Sequence, residues 1–188
     1  MTAATTRLTM SDKKEGTLAA LLEEKRKRGR PRRAISRKNV YVARSAAQKD
    51  QMRQLADILP AGLNRSDIPD MAITLLATHM ELLRRAVAGR KREIPEGITD
   101  LDSLYLLWDL PLTRDDDEPK WTSIRLSPQQ AIELGRSHGS LKVLFGASRS
   151  QVFALSLALL TQFMQTEMVD KRYNSIDEVY DWMSRIYL

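Results

Sequence analysis

Two stretches of the chain, 84 positions apart (Val40 to Ile124), carry the same order of sequence patterns. In the second stretch, residues 121–126 alternate apolar and polar side chains, which predicts a strand with one buried face. Ser127-Pro128 then has the form of a helix N-cap followed by proline at the first helical position. That helix is expected to end near residues 137–139, and a second helix is expected to begin at Arg149. One strand and two helices cannot bury each other's apolar faces, so the unit needs a partner.

The partner is expected upstream in the same chain. The shift of 84 positions aligns Gly146 with Gly62 and Arg149-Ser150 with Arg65-Ser66, without a gap. One offset held from strand to second helix indicates an internal duplication, and two unrelated helical pairs are the alternative. The upstream unit then has a strand at 37–43, a helix at 46–59 and a second helix from Ser66 towards Ala88.

Charge is distributed unevenly along the chain. Residues 1–50 hold 14 Lys/Arg and five Asp/Glu, a net +9, so the remaining residues sum to −3 within the total of +6. A basic arm on a mildly acidic body predicts a polyanionic partner. The chain has no cysteine, no apolar run of the roughly 18 residues that a membrane span needs and no secretory signal. These features favour the cytoplasm, associated with the nucleoid, and no membrane partner.

The basic segment 25–33 contains Arg28-Gly29-Arg30-Pro31. This tetrapeptide resembles the core of the AT-hook, in which glycine and proline keep the backbone extended so that two arginines lie in a narrow minor groove. A-tracts make that groove narrow and negative, which favours inserted arginine. The alternative is a basic tail that contacts phosphates without sequence preference.

Features of catalysis are missing from the sequence. The two histidines, His79 and His138, lack metal-ligand spacing, and there is no nucleophile elbow, P-loop or dinucleotide turn. The acidic run Asp115–Glu118 has neither EF-hand nor metal-cage spacing and is interpreted as a linker. The sequence therefore predicts no enzyme activity, no metal and no cofactor.

The order strand, helix, helix, together with Ile-Arg-Leu-Ser-Pro at 124–128 and Gly-Ala-Ser-Arg-Ser-Gln at 146–151, resembles the ribbon-helix-helix family of DNA-binding proteins. In that family two copies pair their strands into an antiparallel ribbon that enters the major groove. The resemblance implies a mainly α fold with one short two-stranded antiparallel ribbon, built here as a single-chain tandem, a pseudo-dimer. Cooperative binding of two such chains on DNA stays open.

Alternation of side chains along the two strands predicts which residues face the DNA. The predicted base contacts are Arg37, Asn39 and Tyr41 from the first strand, and Trp121, Ser123 and Arg125 from the second. Asparagine can bind an adenine edge and arginine a guanine edge in bidentate fashion. For Trp121, structural packing at the strand edge is an equally weighted alternative.

The starts of the two second helices are the predicted phosphate contacts. Arg65, Ser66, Arg149 and Ser150 lie there, where backbone N–H groups and the positive end of the helix dipole favour anions. Ser66 and Ser150 also fit as plain N-caps.

The predicted domain order is an arm (1–36), a first unit (37–88), a linker with a short helix (89–119), a second unit (120–168) and a C-terminal helix (169–188). Leu101–Leu110 and Ile176–Trp182 have similar patterns and are interpreted as a third helix in each repeat. Each of these helices either covers the core or docks a partner.

Three uses are consistent with these patterns. Two units in one chain resemble accessory factors of conjugative DNA processing, of the TraY type and the T-DNA-border type, which implies a relaxase or another DNA-processing protein as a further partner. A transcriptional repressor of the Arc/CopG kind is the second. An antitoxin-like protein-interaction module is the third.

Overall fold

The structure is a computed structural model that describes residues 36–60, 62–88, 97–112, 118–168 and 176–185. The AT-hook-like segment Arg28–Pro31 and most of the acidic run at 115–118 lie outside these ranges. The described elements are β1 (Lys38–Arg44), α1 (Ala46–Asp57), α2 (Ile68–Val87), α3 (Leu101–Leu107), β2 (Lys120–Leu126), α4 (Pro128–Phe145), α5 (Arg149–Thr166) and α6 (Ile176–Arg185). A single-turn 3-10 helix, Arg65–Asp67, precedes α2.

The two strands form one antiparallel ribbon although a long stretch of chain separates them. Val40 lies opposite Ile124, and Tyr41 lies opposite Ser123. The inward face of the ribbon carries Val42, Ile124 and Leu126, which are buried in the core. The expectation of a mainly helical fold with one short antiparallel ribbon is confirmed.

Two long helices from the two halves of the chain form the centre of the core. Helix α2 packs against α5, and α4 and α6 also pack on α2. Helix α5 is apolar on nearly all sides, with Phe153, Leu155, Leu160 and Phe163 fully or almost fully buried. A helix of this kind is stable only when other elements surround it. The ribbon is thereby held on a core that both halves of the chain supply.

The first helix of the second unit is longer than expected. The sequence predicted an end near residues 137–139, but α4 continues to Phe145. The buried positions Leu134, Ser137 and Leu141 continue one helical face past Gly139, and this packing outweighs the weak helix propensity of Gly135 and Gly139. The helix ends at Gly146, whose φ of 68° is the left-handed conformation that glycine adopts readily.

The predicted offset is also corrected. Ser45 and Ser127 cap α1 and α4, and these residues are 82 positions apart, whereas Gly62 and Gly146, both with positive φ, are 84 apart. The expectation of one offset without a gap was therefore wrong, because two extra residues lie between N-cap and glycine in the second unit. Helix α1 also ends at Asp57 rather than at residue 59.

Two shorter helices complete the described part of the chain. In α3, Leu104 and Tyr105 are buried, while Leu106 is 69% exposed. In α6, Val179 and Met183 are buried and the helix packs on α2. Helices α3 and α6 therefore each cover part of the core. In the described ranges no single helix is long and apolar enough to cross a membrane, and α4 and α5 meet that test only as a pair bent by 110°.

Candidate nucleic-acid interface

The outer face of the ribbon displays five of the six predicted base-contact residues together. Asn39 lies opposite Arg125 and Tyr41 opposite Ser123, while Trp121 lies opposite Ala43. All five predicted residues are exposed, Tyr41 to 64% and Trp121 to 75%. The packing alternative for Trp121 is therefore not what the structure shows.

Arg37 departs from the prediction. It lies just before β1, and its guanidinium donates to the backbone carbonyl of Ser66 and to the carboxylate of Asp67. A second ion pair joins its Nη2 to Asp70 Oδ2 at 3.0 Å, and only 12% of the Arg37 side chain is exposed. The expected outward position was wrong because two buried acids at the start of α2 hold this cation inside the fold.

These two acids connect the start of α2 to other elements. The backbone N–H of Ser127, which follows β2, donates to Asp70 Oδ1 at 2.9 Å. Burial raises the pKa of Asp70, and the Ser127 and Arg37 interactions oppose that rise. Burial together with the charges of Asp70 and Asp67 raises the pKa of Tyr180 in α6. Through Arg37 and Ser127, the two acids thus connect the start of β1 and the end of β2 to the start of α2, at one end of the ribbon.

The predicted phosphate contacts lie at the starts of α2 and α5, but the helix caps differ from the expectation. Ser148, not Ser150, caps α5, in a reciprocal arrangement with Gln151. Ser150 Oγ instead accepts a hydrogen bond from the Ala43 N–H at 2.8 Å, which joins the start of α5 to the end of β1. In the first unit, Asn64 N donates to Asp67 Oδ2 at 2.8 Å, so Ser66 lies inside the 3-10 turn and is not a cap.

Basic side chains lie near both of these helix starts. The pKa of Arg44 is lowered by burial and then by the charge of Arg65. The pKa of His138 is lowered by burial and then by the charges of Arg149 and Lys142. Arg65 and Arg149 are both exposed. Each start therefore has an exposed arginine, although the start of α2 also carries the buried acids Asp67 and Asp70.

Sequence reasoning missed the role of Arg44 at the end of β1. Its Nη2 donates to Thr122 Oγ1 across the ribbon at 3.1 Å. Strand alternation could have placed Arg44 on the inner face with Val40 and Val42. An inward arginine next to a strand end is a recognisable signal of a cross-strand contact.

The remaining predictions concern the AT-hook-like residues, a metal site and the histidines. The AT-hook-like residues Arg28, Gly29, Arg30 and Pro31 lie outside the described residues. Within the described ranges, no cluster of three or more His, Asp or Glu side chains could hold a metal ion.

His79 is buried, its Nδ1 lies 2.9 Å from the carbonyl oxygen of Leu75, and its ring meets Trp108 edge-on at 5.2 Å. Burial lowers its pKa, as expected for a core histidine.

Comparisons of the chain with models of known protein families, with curated proteins and with solved structures found no match.

Proposed function

We propose that the chain is a sequence-specific double-stranded DNA-binding protein that inserts its ribbon into the major groove. One observation carries the proposal. The outer face of a two-stranded antiparallel ribbon exposes Asn39, Tyr41, Ser123, Arg125 and Trp121 side by side. A ribbon of this width fits the major groove, and asparagine and arginine suit adenine and guanine edges there.

The ribbon would act as the shared reader of a ribbon-helix-helix pseudo-dimer. Its centre is the Tyr41–Ser123 pair, and the N-caps Ser45 and Ser127 each follow that pair by four residues. This spacing supports an approximate twofold relation between the two halves. One chain then supplies both halves of the reader, so the protein would bind as a monomer. Since the two strands carry different outward residues, its preferred site is asymmetric.

The cationic helix starts would hold the flanking phosphates. Arg65 at the start of α2 and Arg149 at the start of α5 are exposed. Contacts of this kind set the position of a protein on the duplex without reading its sequence. The arm at 1–36 would add minor-groove contacts through Arg28 and Arg30.

The proposed biological use is as an accessory factor of conjugative DNA processing, on the sequence resemblance of two-unit chains to such factors. Repression of transcription would use the same DNA-binding surface. Recovery of a relaxase with the protein bound to its DNA site supports the first use. Control of a neighbouring promoter with no relaxase recovered supports the second.

Selection from random duplexes, followed by binding assays on the recovered site, tests DNA recognition. Arg125→Ala should weaken binding to the preferred site by about 1–3 kcal/mol and relax base choice at one position. Ile132→Ala, on the exposed side of α4 and 63% exposed, is the matched control and should bind normally. Failure to enrich any sequence, or equal loss by both variants, contradicts the proposal.

A further inference from the structure

The two ends of the ribbon differ in chemistry. At one end the outward pair is Asn39 with Arg125, and at the other it is Ala43 with Trp121. An approximate twofold axis through the Tyr41–Ser123 pair relates the two strands. Under it, Trp121 occupies the position equivalent to Asn39, and Ala43 occupies the position equivalent to Arg125. One end therefore offers hydrogen-bond donors and acceptors, and the other offers apolar surface.

The apolar end is open and fixed in place. Trp121 has 75% of its surface exposed, although burying an indole is strongly favourable. Ala43 is half-buried, and its N–H is held by Ser150 Oγ at 2.8 Å. The pair thus presents an indole and a methyl group on a backbone tied to the start of α5.

The major groove contains one apolar group that such a pair can recognise. Thymine carries a 5-methyl group there, and small or aromatic apolar side chains make contact with it. Asparagine and arginine at the other end suit adenine and guanine. The distance between the two ends also fits the duplex. Four residues of strand span about 13 Å, at about 3.3 Å per residue, which equals about four base-pair steps of about 3.4 Å.

We infer that Trp121 and Ala43 recognise the 5-methyl group of thymine about four base pairs away from a purine bound by Asn39 or Arg125. This inference rests on the proposed DNA binding. It adds which base each end of the ribbon recognises, a purine at one end and thymine at the other. The protein would then bind its site in one orientation only, because the two half-sites have different bases.

Replacement of thymine by deoxyuridine tests the inference, because it removes the methyl group and leaves base pairing intact. The probe is the duplex recovered by selection, and Arg125→Ala marks the position of the purine contact. Each thymine is replaced in turn, and the dissociation constant is measured for wild type, Trp121→Ala and Arg125→Ala. Thermal unfolding verifies that Trp121→Ala is folded, as its exposure leads us to expect.

We expect wild type to lose about fourfold in affinity for each recognised methyl group removed. The loss should occur at thymines about four base pairs from the marked purine, and not at thymines elsewhere in the site. Trp121→Ala should bind the thymine and uracil duplexes equally, whereas Arg125→Ala should keep the difference between them.

The outcomes separate this inference from the proposed function. Specific binding that depends on Arg125 but ignores every uracil replacement overturns the inference alone. A loss caused by Trp121→Ala that is equal on thymine and uracil duplexes also overturns it. If selection recovers no preferred duplex at all, the proposed function and this inference fail together.

Discussion

At the scale of single residues, Arg37 and Arg125 differ in exposure, and only Arg125 is available for the proposed base contact. Both arginines occupy positions at or near a strand, and alternation alone predicted an outward side chain for each. Arg125 is exposed opposite Asn39, whereas Arg37 is held by Asp67 and Asp70. A period-two pattern cannot reveal this, because the acids that capture Arg37 lie about 30 residues further along the chain.

Replacing Arg37 should therefore affect stability. Arg37→Met leaves Asp67 and Asp70, each 4% exposed, without this cation, and removal of one partner from a buried ion pair costs about 3–5 kcal/mol. Chemical denaturation measures the change. Lys38→Met, at the exposed neighbouring position, should change the free energy of unfolding by no more than about 0.5 kcal/mol. A stable Arg37→Met protein with altered base preference would restore Arg37 to the DNA-binding face.

His79 should make stability depend on pH. Burial lowers its pKa in the folded chain, so the unfolded chain binds the proton more tightly. Stability from this residue is full above about pH 6.5 and declines as the pH falls below that value. Urea midpoints at pH 7.5 and 5.5 should differ more for wild type than for His79→Gln. His138→Gln, at a half-exposed site, should keep most of the wild-type difference, and identical differences in all three proteins would contradict this role of His79.

At the scale of elements, local signals located most segments, and long-range packing set their limits. The pattern Ser127-Pro128 predicted the start of α4 correctly, because the cap uses only neighbouring residues. The end of α4 was placed too early at Gly139, because the buried stripe that extends the helix is formed by contact with distant helices. The pairing of β1 with β2 could be expected only through the duplication, since nothing local selects a strand's partner.

Two glycines, one inside α4 and one at its C-terminus, should respond to alanine in opposite directions. Gly146 has φ of 68°, and a residue with a Cβ in that conformation costs about 1–2 kcal/mol. Gly139 is inside the helix with no atom within 4 Å of an added Cβ, so Gly139→Ala should stabilise by about 0.5–1 kcal/mol. Thermal or urea unfolding of the two variants measures the signs. Destabilisation by Gly139→Ala would mean that α4 does not continue through this position.

At the scale of the whole molecule, the charge is uneven, because residues 1–50, which include the arm, are basic and the remainder is mildly acidic. Under the proposed function, the arm would raise affinity for any duplex, and the ribbon would select a sequence. Removal of residues 1–36 should weaken binding to all DNA and reduce the dependence of log K on log salt by about 0.9 for each phosphate that the arm neutralises. Titrations at several salt concentrations give both values. An unchanged slope would show that the arm does not bind DNA.

We propose that one chain inserts a ribbon made from both of its halves into DNA, and site-directed photo-crosslinking can show whether it does. A benzoylphenylalanine at Tyr41, 64% exposed at the centre of the ribbon, should crosslink to one base of the selected duplex, with one chain per duplex. The same group at Leu106, 69% exposed on α3, serves as the control and should not crosslink. Crosslinking from Leu106 in place of Tyr41, or a requirement for two chains per duplex, would show that the ribbon of a single chain does not enter the groove.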